Sequence, residues 1–226
     1  MNQKQELKMQ LLKEFGITGE INTIQFCREA YKFMTEDDVV SQQIQATGAS
    51  ANGLYLVFKD GTYLPYDKQT AAILSDNVKN IGIIHDGHKF AVTLKDIGKF
   101  KLVRDYYNCP DDHPLYRRRE VDALNDWDCI ERTKHIQEVG TDIPLNDGEY
   151  IPSLPMLLAM IYWRDKGLNE ALEFVGGEPI KSDDSYYWSS TECNANSAWS
   201  VGGGDGNVGS SNNENGSFVV RPVCAF

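Results

Sequence analysis

Two histidines flank an acidic turn in the segment His85-Asp86-Gly87-His88. Imidazole nitrogens and a carboxylate are ligands that zinc accepts, so the segment has the side-chain types of a metal site. Asp-Gly is also a preferred composition for a tight hairpin turn, and this explanation needs no metal. His113 and His135 have no third ligand at a standard spacing. We therefore expect no metal site.

The cysteines give no clear chemistry either. They are odd in number and lack CxxC spacing, which indicates neither a disulfide framework nor a zinc site. The five are Cys27, Cys109, Cys129, Cys193 and Cys224.

A glycine pattern, residues 204–209, satisfies GxGxxG. A dinucleotide site of that type needs a buried strand before the glycines and a helix after them. The sequel here is Ser-Ser-Asn-Asn-Glu-Asn, which favours no helix. We expect no nucleotide and no other cofactor.

The charge balance argues against a nucleic-acid partner. The formal net charge is −11, and the one basic run, residues 117–119, is followed by Glu120. Proteins that bind nucleic acids neutralise phosphates with clustered Lys and Arg. We therefore expect no nucleic-acid binding.

The amino-terminal residues lack the apolar run of a secretory signal, and no apolar stretch is long enough to cross a bilayer. The sequence predicts synthesis in the cytoplasm without a signal peptide and no membrane insertion. Later display on a virion or a cell surface is compatible with this.

Two amphipathic helices are predicted near the start of the chain. One covers residues 3–15, with Leu7, Leu11, Leu12 and Phe15 on one face, and the other begins near Asn22. They define a helical N-terminal segment, residues 1–48. Its apolar stripes either cap the main core or contact another subunit in a homo-oligomer.

Residues 49–226 alternate strand and helix patterns in the order of an α+β domain. Hairpins are predicted at 54–66 and 81–94, each with Asp-Gly in the turn. Helices are predicted at 121–139, at 154–166 with Ser153 as cap, and at 169–175. Strands follow at 198–201 and 218–220.

The last two strands enclose an unusual tract, residues 202–217. Fourteen of its sixteen residues are Gly, Ser, Asn or Asp, a composition typical of a flexible loop. Two features modify that interpretation. Both ends are anchored by strands. In addition, the Asn codons AAT and AAC become Ser, Asp or Gly codons when only adenines change to guanines, so the tract has the composition of an Asn-rich template altered at its adenines.

The residues around this tract carry a family resemblance. Tyr187-Trp-Ser-Ser-Thr-Glu192, Ala198-Trp199, Gly206 and Val220-Arg-Pro-Val-Cys-Ala-Phe226 resemble the variable region of diversity-generating retroelement target proteins. The resemblance implies a C-type-lectin-like fold for residues 49–226, with 186–226 as the variable region. It also implies a ligand-binding protein whose surface is altered by adenine-directed mutagenesis. The expected ligand is an unidentified protein or glycan on a target surface.

The resemblance also implies roles for individual residues. Trp188 and Trp199 are expected to be packing anchors, because the codon TGG contains no adenine. Arg221 is expected to hold the end of the segment by bonding backbone carbonyls or Glu192. The expected ligand-binding residues are Cys193, Asn194, Asn196, Ser197, Ser200, Gly202, Gly203, Gly204, Asp205, Asn207, Gly209, Ser210, Ser211, Asn212, Asn213, Asn215, Ser217 and Phe218.

Three further expectations follow from the same resemblance. The small side chains predict weak binding, because hot-spot residues are usually aromatic or Arg. Calcium-dependent sugar binding is not expected, because the Glu-Pro-Asn and Trp-Asn-Asp patterns of such lectins are absent. Two alternative functions stay open. One is a structural or assembly subunit of a phage or cell-surface structure, and the other is a formylglycine-generating-enzyme-like catalyst that would use Cys193 and Cys224.

Overall fold

A computed structural model describes residues 51–105, 107 and 112–226. The helical N-terminal segment predicted for residues 1–48 lies outside these residues. The described part is an α+β structure with two sheets and few helices. None of its helices has both the length and the apolar character needed to span a bilayer.

The bounds of the described elements are as follows. The strands are β1 (Gly53–Phe58), β2 (Tyr63–Pro65), β3 (Val78–His85), β4 (His88–Thr93), β5 (Gly98–Phe100), β6 (Glu149–Tyr150), β7 (Tyr186–Asn194), β8 (Ser197–Gly202), β9 (Val208–Asn212), β10 (Phe218–Val220) and β11 (Val223–Cys224). The α-helices are α1 (Lys68–Leu74), α2 (Glu120–Leu124), α3 (Cys129–Val139), α4 (Leu154–Trp163) and α5 (Asn169–Phe174).

The first sheet has the order β2-β1-β3-β4-β11-β6, and all its pairs are antiparallel. Both predicted hairpins are confirmed, as β1–β2 and β3–β4. Asp86 and Gly87 form the second turn with φ values of 48° and 82°, the left-handed conformation that a two-residue hairpin turn requires. The last strand, β11, pairs with β4 on one side and with β6 on the other, so it is an inner strand of the first sheet.

The second sheet has the order β5-β10-β7-β8-β9, with β10 and β7 parallel and the other pairs antiparallel. The loop predicted for residues 202–217 is wrong in its middle, because Val208–Asn212 forms the edge strand β9. It pairs with β8 from Ser197↔Asn212 to Val201↔Val208. Gly, Ser and Asn have low strand propensity, but backbone pairing with β8 does not depend on their side chains.

The helical span predicted for residues 121–139 is also corrected. It contains two helices, α2 and α3, separated by residues 125–128. Asp128 causes the second start, since its Oδ1 accepts hydrogen bonds from the backbone N–H groups of Ile130 and Glu131 at 3.1 Å. Farther along, α4 begins at the predicted residue but ends at Trp163, and Ser153 makes no side-chain cap bond.

The second sheet lies between two apolar cores. The larger core joins the first sheet to α4 and α5, and the smaller core packs α3 against the second sheet. Successive side chains of a strand point to opposite faces, so Tyr187 and Val219 enter the larger core while Trp188 and Val220 enter the smaller one. The strands that carry the resemblance are therefore fixed on both faces.

Candidate ligand-binding face

Trp188 and Trp199 differ in how deeply they are held. Trp188 is fully buried, its Nε1 donates to the carbonyl of Phe100 at 2.8 Å, and the Phe218 ring lies 4.5 Å away between centroids. Trp199 is half-buried, and its Nε1 donates to the carbonyl of Arg117 at 2.8 Å. A buried indole usually finds a partner for its N–H, and both do.

Arg221 follows β10 and is fully buried. Its Nε donates to Asp96 Oδ1 at 2.6 Å, which forms a buried ion pair. The terminal nitrogens donate at 3.1–3.3 Å to three carbonyls, those of Thr93, Glu178 and Pro179. Arg221 thus bonds backbone carbonyls as predicted, and it ties the end of the last strands to two loops.

Glu192 has a different environment, so the predicted alternative of a bond between it and Arg221 is wrong. Glu192 is 2% exposed. Tyr107 donates its hydroxyl hydrogen to Oε1 at 2.6 Å, and Asn213 Nδ2 donates to the same oxygen at 3.2 Å. His135 Nε2 lies 3.6 Å from Oε2. We call these four residues the Glu192 cluster.

The Glu192 cluster was not predicted from the sequence. The sequence indicated Glu192 only as the last residue of its motif and as an alternative partner of Arg221. Nothing local indicates the observed partners, since Tyr107 is 85 residues away along the chain. Burial raises the pKa of Glu192 to about 7 although the bonds from Tyr107 and Asn213 act in the opposite direction. Burial also lowers the pKa of His135, and the nearby His113 adds to this effect. Burial therefore favours the neutral form of both the carboxyl and the imidazole.

Thirteen of the eighteen expected ligand-binding residues are exposed or half-buried. We call this set the candidate face: Asn194, Asn196, Ser197, Gly204, Asp205, Asn207, Gly209, Ser210, Ser211, Asn212, Asn215, Ser217 and Phe218. The face is not one continuous loop. The turn between β8 and β9 lies at the opposite end of the sheet from the β7–β8 turn, because these strands are antiparallel.

The other five expected ligand-binding residues are buried, and their placement on a contact surface is corrected here. They are Cys193, Ser200, Gly202, Gly203 and Asn213. The side chain of Ser200 bonds within the sheet, to the carbonyl of Gly209 at 3.4 Å. A Cβ at Gly203 would lie 2.6 Å from the carbonyl oxygen of Lys181. These positions build the sheet and its turns.

Polar side chains of the tract order its own turns. Asp205 Oδ1 accepts from the backbone N–H of Asn207 at 2.9 Å, and Asn212 Oδ1 accepts from those of Glu214 and Asn215 at 3.1 and 2.8 Å. Asn and Asp commonly form such turns because a short side chain reaches the backbone two or three residues ahead. A composition typical of disorder is therefore compatible with defined turns.

The histidines considered as metal ligands have other contacts. His88 stacks on Trp127 with 4.0 Å between ring centroids, and His85 Nδ1 accepts a hydrogen bond from Trp163 Nε1 at 3.3 Å. Across residues 51–105, 107 and 112–226, no group of three or more His, Cys, Asp or Glu side chains is arranged to hold a metal ion.

No protein-family model and no curated protein matches the chain. A crystal structure of a fimbrial protein from Bacteroides ovatus ATCC 8483 is similar to it, with 17% sequence identity and a TM-score of 0.45. The match covers 78% of this chain, which spans about half (49%) of the fimbrial protein.

Proposed function

We propose that this chain is a non-enzymatic ligand-binding protein with a C-type-lectin-like fold. In this proposal, residues 186–226 are a variable region diversified by adenine-directed mutagenesis, and the candidate face recognises a protein or glycan on a target surface. The fold supplies a fixed framework, and the small polar residues supply the part that changes.

One observation carries the proposal, namely the separation of two residue classes within the stretch 186–226. The motif residues Trp188, Glu192 and Arg221 are 0–2% exposed and hydrogen-bonded. Most of the Asn, Ser, Gly and Asp positions lie at the surface. Surface substitutions usually change stability by less than about 0.5 kcal/mol, whereas buried ones cost more. Mutagenesis concentrated on such positions would alter recognition and preserve folding.

The cysteines support binding over catalysis. Cys193 lies in the second sheet and Cys224 in the first, and both are free thiols. Burial raises the pKa of Cys193 to about 12 and raises the pKa of Cys224 as well. A thiol is a good nucleophile only as the thiolate, so these two groups are poorly suited to cysteine chemistry near neutral pH.

Sequencing the DNA around the gene tests the retroelement origin. We expect a reverse-transcriptase gene and a near-copy of the codons for residues 186–226. The near-copy should carry adenines wherever the candidate face has Gly, Ser or Asp in place of Asn. A native locus with neither feature would contradict this origin.

Two display libraries test the binding function. One randomises candidate-face positions, for example Asn207, Ser210 and Asn215, and the matched library randomises the buried positions Ser200, Gly203 and Asn213. We expect the first library to remain folded and to give binders when it is selected against a set of glycans and cell-surface proteins. Recovery of binders from the buried library alone, or loss of folding in both, would argue against the candidate face.

A further inference from the structure

The buried carboxylate of Glu192 holds part of the candidate face through Asn213. Asn213 Nδ2 donates to Glu192 Oε1 at 3.2 Å and to the carbonyl of Ala195 at 3.0 Å. The backbone N–H of Asn213 donates to the carbonyl of Asn196 at 3.0 Å. The β7–β8 turn and the segment after β9 are thus joined at one residue.

Asn213 also fixes the loop after β5. Its carbonyl accepts from the backbone N–H groups of Leu102 and Val103 at 2.9 and 3.1 Å. The carbonyl of Glu192 accepts from the N–H of Arg117 at 2.8 Å, in the segment before α2. Residues 102–103, 117 and 195–196 therefore all bond to Glu192 or Asn213, and separating them would give the carboxylate access to water.

The titratable and charged groups around Glu192 come from three directions. Tyr107 and Tyr116 precede α2, with 3.3 Å between their hydroxyl oxygens, and His113 stacks on His135 with 4.7 Å between ring centroids. His135, Arg132 and Glu138 lie on α3, and the guanidinium of Arg132 is held by the carboxylate of Asp126. Cys193 follows Glu192 in β7. His135 Nε2 is the basic atom placed 3.6 Å from the carboxylate.

We propose that the Glu192 cluster is a pH-sensitive anchor for the candidate face, closed when Glu192 is protonated and prone to open when Glu192 is ionised. The biological consequence, a binding surface whose order depends on pH, rests on the proposed function. The opening itself is a property of the chain and does not depend on the proposed function.

The direction follows from linkage. The pKa of Glu192 is about 7 in the closed state and returns to its ordinary value of 4.5 when opening exposes the carboxylate. Protons then favour the closed state, and the opening constant rises about tenfold per pH unit between those two values. His135 acts in the opposite sense, because the closed state lowers its pKa below 6.5. Its contribution to opening therefore grows as the pH falls below 6.5.

Hydrogen exchange with NMR detection measures this opening on the full chain from pH 5 to pH 8, after correction for the intrinsic exchange rate. The reporters are the amides of Leu102, Val103 and Asn213, and the reference amides lie in β3 and β4. For wild type we expect the reporters to exchange through a local opening that costs less free energy than the global unfolding measured at the reference amides. The opening constant at the reporters should rise towards about pH 7, less steeply than Glu192 alone requires because His135 acts in the opposite sense, and should level off above it.

Two variants separate the effects of Glu192 and His135, which change the opening constant in opposite directions as the pH rises. In His135→Asn, opening at the reporters should rise by roughly 40-fold between pH 5 and pH 7, as a group with the two pKa values above requires. In Glu192→Gln, which keeps an oxygen acceptor without titrating, the rise should vanish and the slope below pH 6.5 should reverse. Glu131→Gln, an exposed carboxylate on α3, is the matched control and should follow wild type.

Two results would overturn the proposal. One is a Glu192→Gln profile identical to wild type, and the other is protection of the reporters as strong as that of the reference amides, which would mean global rather than local opening. No ligand is used, so either failure would leave the proposed binding function untouched. Failure to find a ligand or a retroelement would equally leave this result unchanged.

Discussion

Two buried carboxylates, Asp96 and Glu192, hold opposite parts of the same C-terminal stretch by different means. Asp96 is paired with the fully buried guanidinium of Arg221 at 2.6 Å, and Lys181 Nζ lies 3.6 Å from its other oxygen. Glu192 is held by the hydroxyl of Tyr107 and the amide of Asn213, with the imidazole of His135 nearby. Asp96 is bonded directly to a permanent positive charge, whereas the groups bonded to Glu192 are neutral. The guanidinium of Arg132 also lowers the pKa of Glu192, but it is paired with Asp126.

We call the Asp96–Arg221 pair the permanent junction, because the charge of the guanidinium does not change with pH. We call the Glu192 cluster the adjustable junction, because its carboxyl titrates near neutral pH. The Asp96–Arg221 pair ties the chain after β10 to the framework, where the carboxylate and the guanidinium compensate each other's burial. The Glu192 cluster ties the turns of the candidate face, where burial of the carboxylate is only partly compensated and its pKa rises to about 7. We expect the first junction to determine whether the domain folds and the second to determine how firmly the face is ordered.

The largest expected effect comes from removing the permanent charge. Arg221→Met leaves the buried Asp96 carboxylate with Lys181 and the Tyr187 hydroxyl as its remaining partners and removes the donors to three carbonyls. Breaking a buried pair in this way costs about 3–5 kcal/mol of unfolding free energy, measurable by denaturant titration. Arg104→Met removes an exposed pair with Asp142 and is the control, with little change expected. Equal losses in the two variants would show that the buried junction has no special weight.

The next effect concerns the adjustable carboxylate and depends on pH. The folded pKa of Glu192 is raised above its unfolded value, so its stabilising contribution is complete below pH 4.5 and is lost as the pH rises through about 7. Between pH 5 and pH 8, wild type should therefore lose on the order of 3 kcal/mol relative to Glu192→Gln. Parallel stability curves for the two proteins would contradict the raised pKa.

The sequence did not predict the partners of Asp96 and Glu192, whereas it did predict both hairpins. A hairpin depends on adjacent residues, and Asp86-Gly87 between two apolar runs specifies β3–β4 locally. Arg221 and Asp96 are 125 residues apart, so their pairing depends on how both sheets pack, which no local pattern encodes. The helix break at residues 125–128 was not predicted because the apolar residues keep helical spacing across it. Asp128 is a common N-cap residue, but the spacing on both sides of it favours one continuous helix.

The candidate face was predicted in composition but not in geometry. The Asn, Ser and Gly content indicated surface residues, and most of them are at the surface. The pairing of β9 with β8 was not indicated, because it arises from backbone hydrogen bonds. That pairing buries Ser200 and places the turn at Asp205 at the other end of the strands from the turn at Asn196. Amino-acid composition alone does not predict either result.

The glycines of the tract differ in whether they have room for a side chain. Gly203→Ala places a Cβ 2.6 Å from the carbonyl oxygen of Lys181, a contact that the backbone must move to relieve. At Gly209 the nearest atom to such a Cβ is Ser200 Oγ at 3.9 Å, an ordinary contact. We expect Gly203→Ala to cost about 1–3 kcal/mol and Gly209→Ala to change stability by less than about 0.5 kcal/mol. Thermal or denaturant unfolding compares them directly, and an inverted order would mean that the turn at Gly203 rearranges freely.

The smallest expected effect lies at the most exposed positions of the candidate face. Asn207 and Asn215 are exposed, and their backbone N–H groups, rather than their side chains, bond to Asp205 and Asn212. Replacing both by Tyr should change the unfolding free energy by less than about 0.5 kcal/mol, because each turn keeps its ordering side chain. The same change adds the residue type that most often supplies binding energy. A loss of more than about 1 kcal/mol of unfolding free energy in the double variant would mean that these exposed positions are as constrained as the buried framework. The candidate face would then not be free to vary.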